Sequence, residues 1–296
     1  MRGARPEEAI EQAIERGGVV RRGENIIVAC SGGVDSATLA AVLAAVRVPL
    51  ELDLTLAYVH HATRESAWQD ECVVLRLGAT YGIPVRTAQL EPATFDEATL
   101  RDARYAALAT IARERNACAI ATGHHQEDQS ETVMLALLRG TGPEGMAGIR
   151  PRRPLELGID LVRPLLSIAA DELRYYAHVR AIPYAVDPTN RDRGLRRNAV
   201  RAALDALRPL FPALDAAVAR SAELTREEVD KSDRAALRRR VRETLEREDS
   251  LRDVDFEHVE AAVRAIEEGT SGRFHMKAGV ELQITRGSIE AVRKQP

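Results

Sequence analysis

The run Ile26-Ile27-Val28-Ala29-Cys30 leads directly into Ser31-Gly32-Gly33-Val34-Asp35-Ser36 and then into Ala37-Thr38-Leu39-Ala40. A β-branched apolar run, two adjacent glycines and an alanine-rich segment in that order specify a strand, a tight turn and a helix start. The same alternation continues through residue 139. Strands are predicted at 25–30, 54–59, 85–90 and 118–122, and helices near 36–46, 66–81, 96–115 and 126–139. This repetition predicts an α/β fold with a doubly wound parallel sheet. Right-handed crossovers would align the strand C-termini along one edge, where such sheets take ligands.

Beyond residue 139 the pattern changes. The glycine-rich stretch 140–148 and the PRRP of 151–154 read as a loop, followed by a short strand at 161–165, a helix at 169–180 and the turn text DPTN at 187–190. From 198 to 247 the text is helical and arginine-rich, broken at Pro209 and Pro212, and 280–285 is strand-like. A chain of 296 residues suits roughly two domains. The boundary is predicted between 210 and 225, giving a catalytic domain over 1–215 and a smaller, mainly helical C-terminal domain over 216–296. The N-terminal MRGARPEEAIEQAIERGG alternates acids with apolar residues and reads as a surface helix ended by Gly17-Gly18. No stretch approaches the ~18 uncharged apolar residues of a membrane span. Cys30, Cys72 and Cys118 form no CxxC pair, which argues against a disulfide framework or a zinc site and fits a reducing cytoplasm. Lysine occurs only at 231, 277 and 294, so arginine supplies almost all cationic charge. Residues 191–245 carry a net +5 against −8 elsewhere, a local basic surface that suggests an anionic partner.

A glycine turn at a helix start presents backbone N–H groups and the positive end of the helix dipole, which suits a phosphate or pyrophosphate. Gly32 and Gly33 let the backbone approach the anion, Val34 begins the helix, and Ser31 and Ser36 add hydroxyl donors. Asp35 would repel phosphate unless a cation lay between, so Mg²⁺ is predicted at Asp35. Residues 122–132, TGHHQEDQSET, place His124, Asp128 and Glu131 on one face of a helix starting near Gly123, at the same sheet edge. Asp128 would hold Mg²⁺ or accept a proton, Glu131 would orient an incoming amine, and His124 would stabilise charge developing on phosphate. Arg197-Asn198-Ala199-Val200-Arg201 sets two guanidinium groups one turn apart, suited to adjacent phosphates or to a phosphate and a base. Arg64 and Arg104 follow the second and third strands and fit either the lining of the same crevice or an ordinary solvated surface. His60 and His61 fit either packing at a strand end or substrate contact, and Trp68 reads as a core residue.

SGGVDS resembles the signature of the PP-loop ATP pyrophosphatases, which adenylate a substrate oxygen with release of pyrophosphate. The ordered set SGGVDS, HHATRES, DARY, GHHQEDQSET, LLRGTGPEGMAGI, RPLL, DPTN and RRNAVR resembles one branch of them, the tRNA(Ile)-lysidine synthetases. The resemblance covers about 24–225, and DFEHVEAAV with GRFHMKAGVELQITRG is similar to that family's first C-terminal domain; the second C-terminal domain of longer members is not expected. It implies a PP-loop, adenine nucleotide alpha hydrolase-like fold, with ATP bound by Ser31, Gly32, Gly33, Val34, Asp35 and Ser36. The implied substrates are a CAU-anticodon isoleucine tRNA and free L-lysine, and the implied catalytic residues are Asp35, His124, Asp128, Glu131 and Arg201. Asp35 and Asp128 are then metal ligands, and Arg64, Arg104, Arg197, Asn198 and Arg201 contact tRNA. A homodimer is compatible with the sequence. Two departures stand out: Glu127 where the family usually has Asp, and His60 where Asn is common. The rival readings are a PP-loop tRNA thiolase, for which no cysteine pair is present, an amidating PP-loop synthetase, for which no glutaminase domain is present, and a nucleotide-binding module without catalysis.

Overall fold

The computed structural model describes residues 6–60, 67–90, 97–185, 195–231, 233–246, 256–275, 280–285 and 288–293. Two compact units divide the chain: 1–131 with 149–219, and 132–148 with 220–296. The second unit therefore takes in 132–148, a segment that the sequence reading assigns wholly to the catalytic domain.

In the first unit, helix α1 (Pro6–Arg16) precedes β1 (Asn25–Ala29), α2 (Val34–Val46), β2 (Asp53–His60), α3 (Ala67–Tyr81), β3 (Val85–Gln89), α4 (Glu97–Glu114), β4 (Ala119–Ala121) and α5 (Gln126–Leu138). Each of the four strands and four helices predicted up to residue 139 is present, with ends shifted by one or two residues. After α6 (Pro143–Met146), which belongs to the second unit, come β5 (Arg152–Glu156), β6 (Ile159–Val162), α7 (Ala170–Val179), α8 (Leu195–Leu207) and α9 (Leu214–Lys231). The division between units falls inside α5 and α9.

The six strands run in the order β3-β2-β1-β4-β6-β5, parallel except for β5, which is antiparallel to β6. The chain moves outward from β1 through β2 to β3 and returns to β4 on the other side of β1. Ile27 is thus flanked by Thr55 and Ile120. This reversal opens a crevice outside the C-terminal ends of β1 and β4. Strand alternation divides the core: Ile26 and Val28 pack with Leu39, Leu43 and Leu173 on one face, and Ile27 with Leu108, Ile120 and Leu161 on the other. Burying each such aliphatic side chain stabilises the fold by about 2 kcal/mol. Helix α2 is buried on nearly every side from Ser36 to Leu43 because α1 and α7 cover the surface it turns away from the sheet.

Four predictions need correction. PRRP is not a loop: Arg152–Glu156 is an edge strand, with Pro154 opposite Asp160 and a bulge between Pro154 and Glu156. An edge strand tolerates proline because its outer side needs no N–H for the ladder. The strand predicted at 161–165 lies earlier, at Ile159–Val162, and the glycine-rich stretch contains the single-turn helix α6 with Pro143 in its first turn. Trp68 is 61% exposed, because α3 turns Val74 and Leu77 to the sheet and Trp68 roughly a third of a turn away.

The second unit contains α10 (Asp233–Glu246), α11 (Phe256–Glu267) and an antiparallel sheet of β7 (Gly272–His275), β8 (Val280–Thr285) and β9 (Ser288–Arg293), ordered β7-β8-β9. Val241, Leu245, Val259, Val263, Leu282 and Ile284 form its core. The expected mainly helical unit thus has a three-stranded sheet of which the sequence predicts only β8. Glu144 on α6 pairs with Arg238 on α10 at 2.9 Å, a contact between residues 94 apart that explains where 132–148 belongs. Among the described residues no helix is long and apolar enough to cross a membrane.

Candidate active site

The turn after β1 is set by sterics. Gly32 has φ +85°, and a Cβ there would lie 2.9 Å from the Asp70 carbonyl oxygen, so only glycine fits. The Ser36 hydroxyl accepts the Ser31 N–H at 3.1 Å and donates to the Gly33 carbonyl at 3.0 Å, with Ser31 Oγ 3.2 Å away. Ser36 therefore staples the turn rather than offering a free donor outward. Helix α2 has Gly33 at its N-cap and no side-chain cap, which leaves its first-turn N–H groups to an external acceptor. Asp35, in that first turn, has a 42% exposed side chain.

The chain leaving β4 passes close to this helix start. A Cβ on Gly123 would stand 3.1 Å from the carbonyl carbon and oxygen of Asp35 and 3.2 Å from Ser36 N. Helix α5 then begins at Gln126, not near Gly123, so His124 lies before the helix and not on its acidic face. Its start is fixed by Asp128, whose Oδ2 accepts the His125 backbone N–H at 3.1 Å.

His125, which the sequence reading passes over, is the centre of the cluster. Its Nε2 lies 3.7 Å from Asp35 Oδ2 and 3.6 Å from Asp128 Oδ2, and its Nδ1 is 2.9 Å from Glu127 Oε2. Burial would lower the imidazole pKa, but the hydrogen bond to Glu127 and the charges of Asp128, Asp35 and Glu127 outweigh it and raise the pKa. Burial likewise works to raise Glu127 and Asp128. Both are nevertheless held below the ordinary carboxylate range, Glu127 by His125 and the Ala170 N–H, Asp128 by the charge of His125 and the His125 N–H. Glu127 accepts the Ala170 N–H at 3.0 and 2.9 Å and so anchors the start of α7 as well. His124 is the opposite case: burial, aided by Arg163, Arg101 and Arg104, overcomes the pull of Asp128 and brings its pKa down to about 3. It is a neutral ring at physiological pH, bonded through Nδ1 to Thr122 Oγ1 at 2.9 Å.

One turn along α5, Glu131 is 3% exposed and held by both arginines of α8. Arg197 Nε lies 2.9 Å from Oε2; Arg201 Nε lies 2.7 Å from Oε1 and its Nη2 3.0 Å from Oε2. Arg197 also approaches Asp128 Oδ1 at 3.8 Å. Asn198 occupies the same turn of α8. Arg104 lies on α4 near enough to act on His124, and it and Arg101 each place the guanidinium carbon 5.6 Å from the Tyr105 ring. Arg64, His61 and the DPTN turn fall outside the described residues. Much of the arginine-rich segment is internally matched: Arg208 with Asp205 and Asp215, Arg234 with Glu260 and Glu267, Arg238 with Glu144 and Glu260, and Arg239 with Asp230. That reduces the charge it can offer an external polyanion.

The structure thus brings Asp35 and Asp128 together around His125, and Glu131, Arg197 and Arg201 into an adjoining clamp. Among the described residues no group of three or more His, Cys, Asp or Glu is arranged to hold a metal ion. Two carboxylates facing one point still suit Mg²⁺, which takes one or two protein oxygens and completes its shell with water and phosphate.

A family profile for the PP-loop domain matches residues 5–207. The chain is similar to a tRNA(Ile)-lysidine synthase of Thermotoga sp., 36% identical over 215 residues that cover 70% of this chain and 51% of that protein. It is also similar to a tRNA(Ile)-lysidine synthase of Geobacter sulfurreducens, 31% identical and covering 92% of this chain and 65% of the relative. The chain spans about half the length of the curated relatives it matches first. Among solved structures, a U34-tRNA thiolase of Methanococcus maripaludis with its 4Fe-4S cluster superposes with TM-score 0.63 at 17% identity, over 75% of this chain and 78% of that one. At that identity the likeness is one of fold.

Proposed function

The chain belongs to the PP-loop domain family, and from that premise we propose that it is an ATP-dependent carbon–nitrogen ligase that forms lysidine on the wobble cytidine of a CAU-anticodon isoleucine tRNA. Free L-lysine is the second substrate. Oxygen on cytosine C2 is a poor leaving group until it is esterified. In the first step that oxygen bonds to the α-phosphorus of ATP while the bond to pyrophosphate breaks. In the second, the lysine ε-ammonium gives up a proton to a carboxylate, the neutral amine attacks C2 and loses a second proton to water, and the C2–O bond breaks to release AMP.

The residues suit these tasks. The Ser31–Ser36 turn and the uncapped start of α2 offer backbone N–H groups to the phosphates. Asp35 and Asp128 would hold Mg²⁺, which when bound offsets phosphate charge. Asp128, held ionised by the charge of His125 and the His125 N–H, is the carboxylate that would take the amine's proton, and Glu131 would orient the amine. Glu131 is saturated by Arg197 and Arg201 in this structure. In the proposed cycle a substrate phosphate draws Arg201 away and frees a Glu131 oxygen for the ammonium group. Arg104, Arg64 and Asn198 are assigned to the RNA, whose base must be splayed from its loop to reach the crevice.

The observation that carries this reading is the convergence of Asp35 and Asp128 on His125 at the mouth of the anion turn, with the Glu131 clamp beside it. Incubation with ATP, Mg²⁺, labelled lysine and a CAU-anticodon transcript tests it: label is expected in the RNA, and its absence rejects lysine transfer. Asp35→Ala is expected to abolish tRNA-dependent ATP–pyrophosphate exchange with the fold intact. Unchanged exchange would favour a nucleotide-binding module.

A further inference from the structure

Arg163 follows β6 at the same sheet edge and is 3% exposed. Its Nη1 donates to the Arg150 carbonyl at 2.6 Å and its backbone N–H to the Pro151 carbonyl at 2.8 Å. Its Nε and the Tyr105 hydroxyl are both buried and neither makes a hydrogen bond of good geometry, although the two side chains lie close enough to interact favourably. Among the described residues no carboxylate forms an ion pair with it, and Arg101 and Arg153 add like charge. An unmatched buried cation costs stability, and an apolar side chain of similar volume commonly replaces one without loss. Burial lowers its pKa to about 10, which still leaves the group charged at neutral pH.

Its place relates it to the crevice. The Val162 carbonyl, one residue before it, accepts the Thr122 N–H at 3.0 Å, and Thr122 Oγ1 holds His124. On the other side, the 149–151 segment that Arg163 fastens is gripped by buried Gln129, whose Oε1 accepts the Ile149 N–H at 2.6 Å. Gln129 lies between Asp128 and Glu131 on α5.

We propose that Arg163 is a positioning residue of this site, a buried cation kept against fold stability because its charge favours phosphate at the crevice and its hydrogen bonds brace the segment that steadies Asp128 and Glu131. The inference rests on the reading that the crevice binds ATP. The source of the phosphate, nucleotide or RNA backbone, is separated by titrating each alone.

The test is calorimetric titration of MgATP, and separately of the tRNA transcript, onto the full chain and its Arg163→Met and Arg163→Lys variants, with thermal melting of each protein without ligand. Arg163→Met is expected to melt no lower than wild type yet bind one of the two ligands about tenfold more weakly, the effect of a single charge acting at low dielectric. Arg163→Lys, which keeps the charge but not the fork, is expected to recover most of that affinity. An Arg163→Met protein that fails to fold, or that melts well below wild type with no recovery in Arg163→Lys, would overturn the proposal in favour of a structural role. Unchanged affinity for both ligands overturns it while leaving the ATP reading intact. A wild-type chain that binds no ATP removes that reading and this inference together.

Discussion

Arg201 grips both oxygens of the buried Glu131 carboxylate, Nε to Oε1 at 2.7 Å and Nη2 to Oε2 at 3.0 Å, across 70 residues of sequence. Arg197 closes the other side. Glu131→Gln removes the charge but keeps the shape, leaving two guanidinium groups without their counter-charge. The variant is expected to lose about 1–3 kcal/mol of stability, since the arginines are partly solvated. It is also expected to keep ATP–pyrophosphate exchange within about threefold while lysine incorporation falls at least ~10-fold. Parallel assays of the two half-reactions check this; equal losses in both would place Glu131 with the fold rather than with the amine.

Gly123 tests the approach of β4's end to the start of α2. Alanine there would press its methyl on the Asp35 carbonyl and Ser36 N at 3.1–3.2 Å, backbone atoms with little room to yield. Gly123→Ala is expected to remain folded and to bind ATP roughly tenfold more weakly, because a small displacement of positioning groups is costly. Wild-type affinity by titration would mean that the turn tolerates the shift.

His124 and His125 tilt the pH dependence of stability in opposite directions. The folded pKa of His124, about 3, lies below its ordinary 6.5, so its contribution is complete above pH 6.5 and is lost as pH falls toward 3. His125 has a raised pKa, so its contribution is complete below pH 6.5 and is lost as pH rises through the folded value. Between pH 7 and 5, His124→Gln should spare the fold about 1–2 kcal/mol of acid destabilisation, a few degrees in melting temperature. His125→Gln should lose more stability at pH 6 than at pH 9. Melting curves across this range decide both; parallel curves for wild type and variants would contradict the assigned protonation states.

Glu127 spans two tasks, Nδ1 of His125 and the first N–H of α7. Glu127→Asp shortens the arm by one methylene and cannot hold both. Losing the contact at α7 is expected to cost about 1 kcal/mol. A change in the His125 ring resonances by NMR would report the second loss; unchanged stability and spectra would mean that the shorter carboxylate reaches both.

Much of the catalytic half was legible because its signals are local. Strand periodicity, the Gly32-Gly33 turn and the apolar text of α2 are each written in consecutive residues, and a parallel sheet with its ligand edge follows from their alternation. Proline misled the reading at β5, because 151–154 has turn chemistry and only its place at the sheet edge lets Pro154 pair. His125 escaped notice because its neighbour shares its chemistry, and nothing in the dipeptide shows which ring meets Asp35 and which is buried.

The sequence by itself determined the order of strands and helices up to residue 139, the glycine turn and the set of acids and arginines available to the crevice, since all of these depend on backbone propensity and short-range spacing. Only the tertiary structure decided which charges match. Glu131 lies against Arg201, Glu144 against Arg238, and among the described residues Arg163 has no acid in ion-pair contact, because Coulomb partners and burial are set by through-space distances that chain position does not encode.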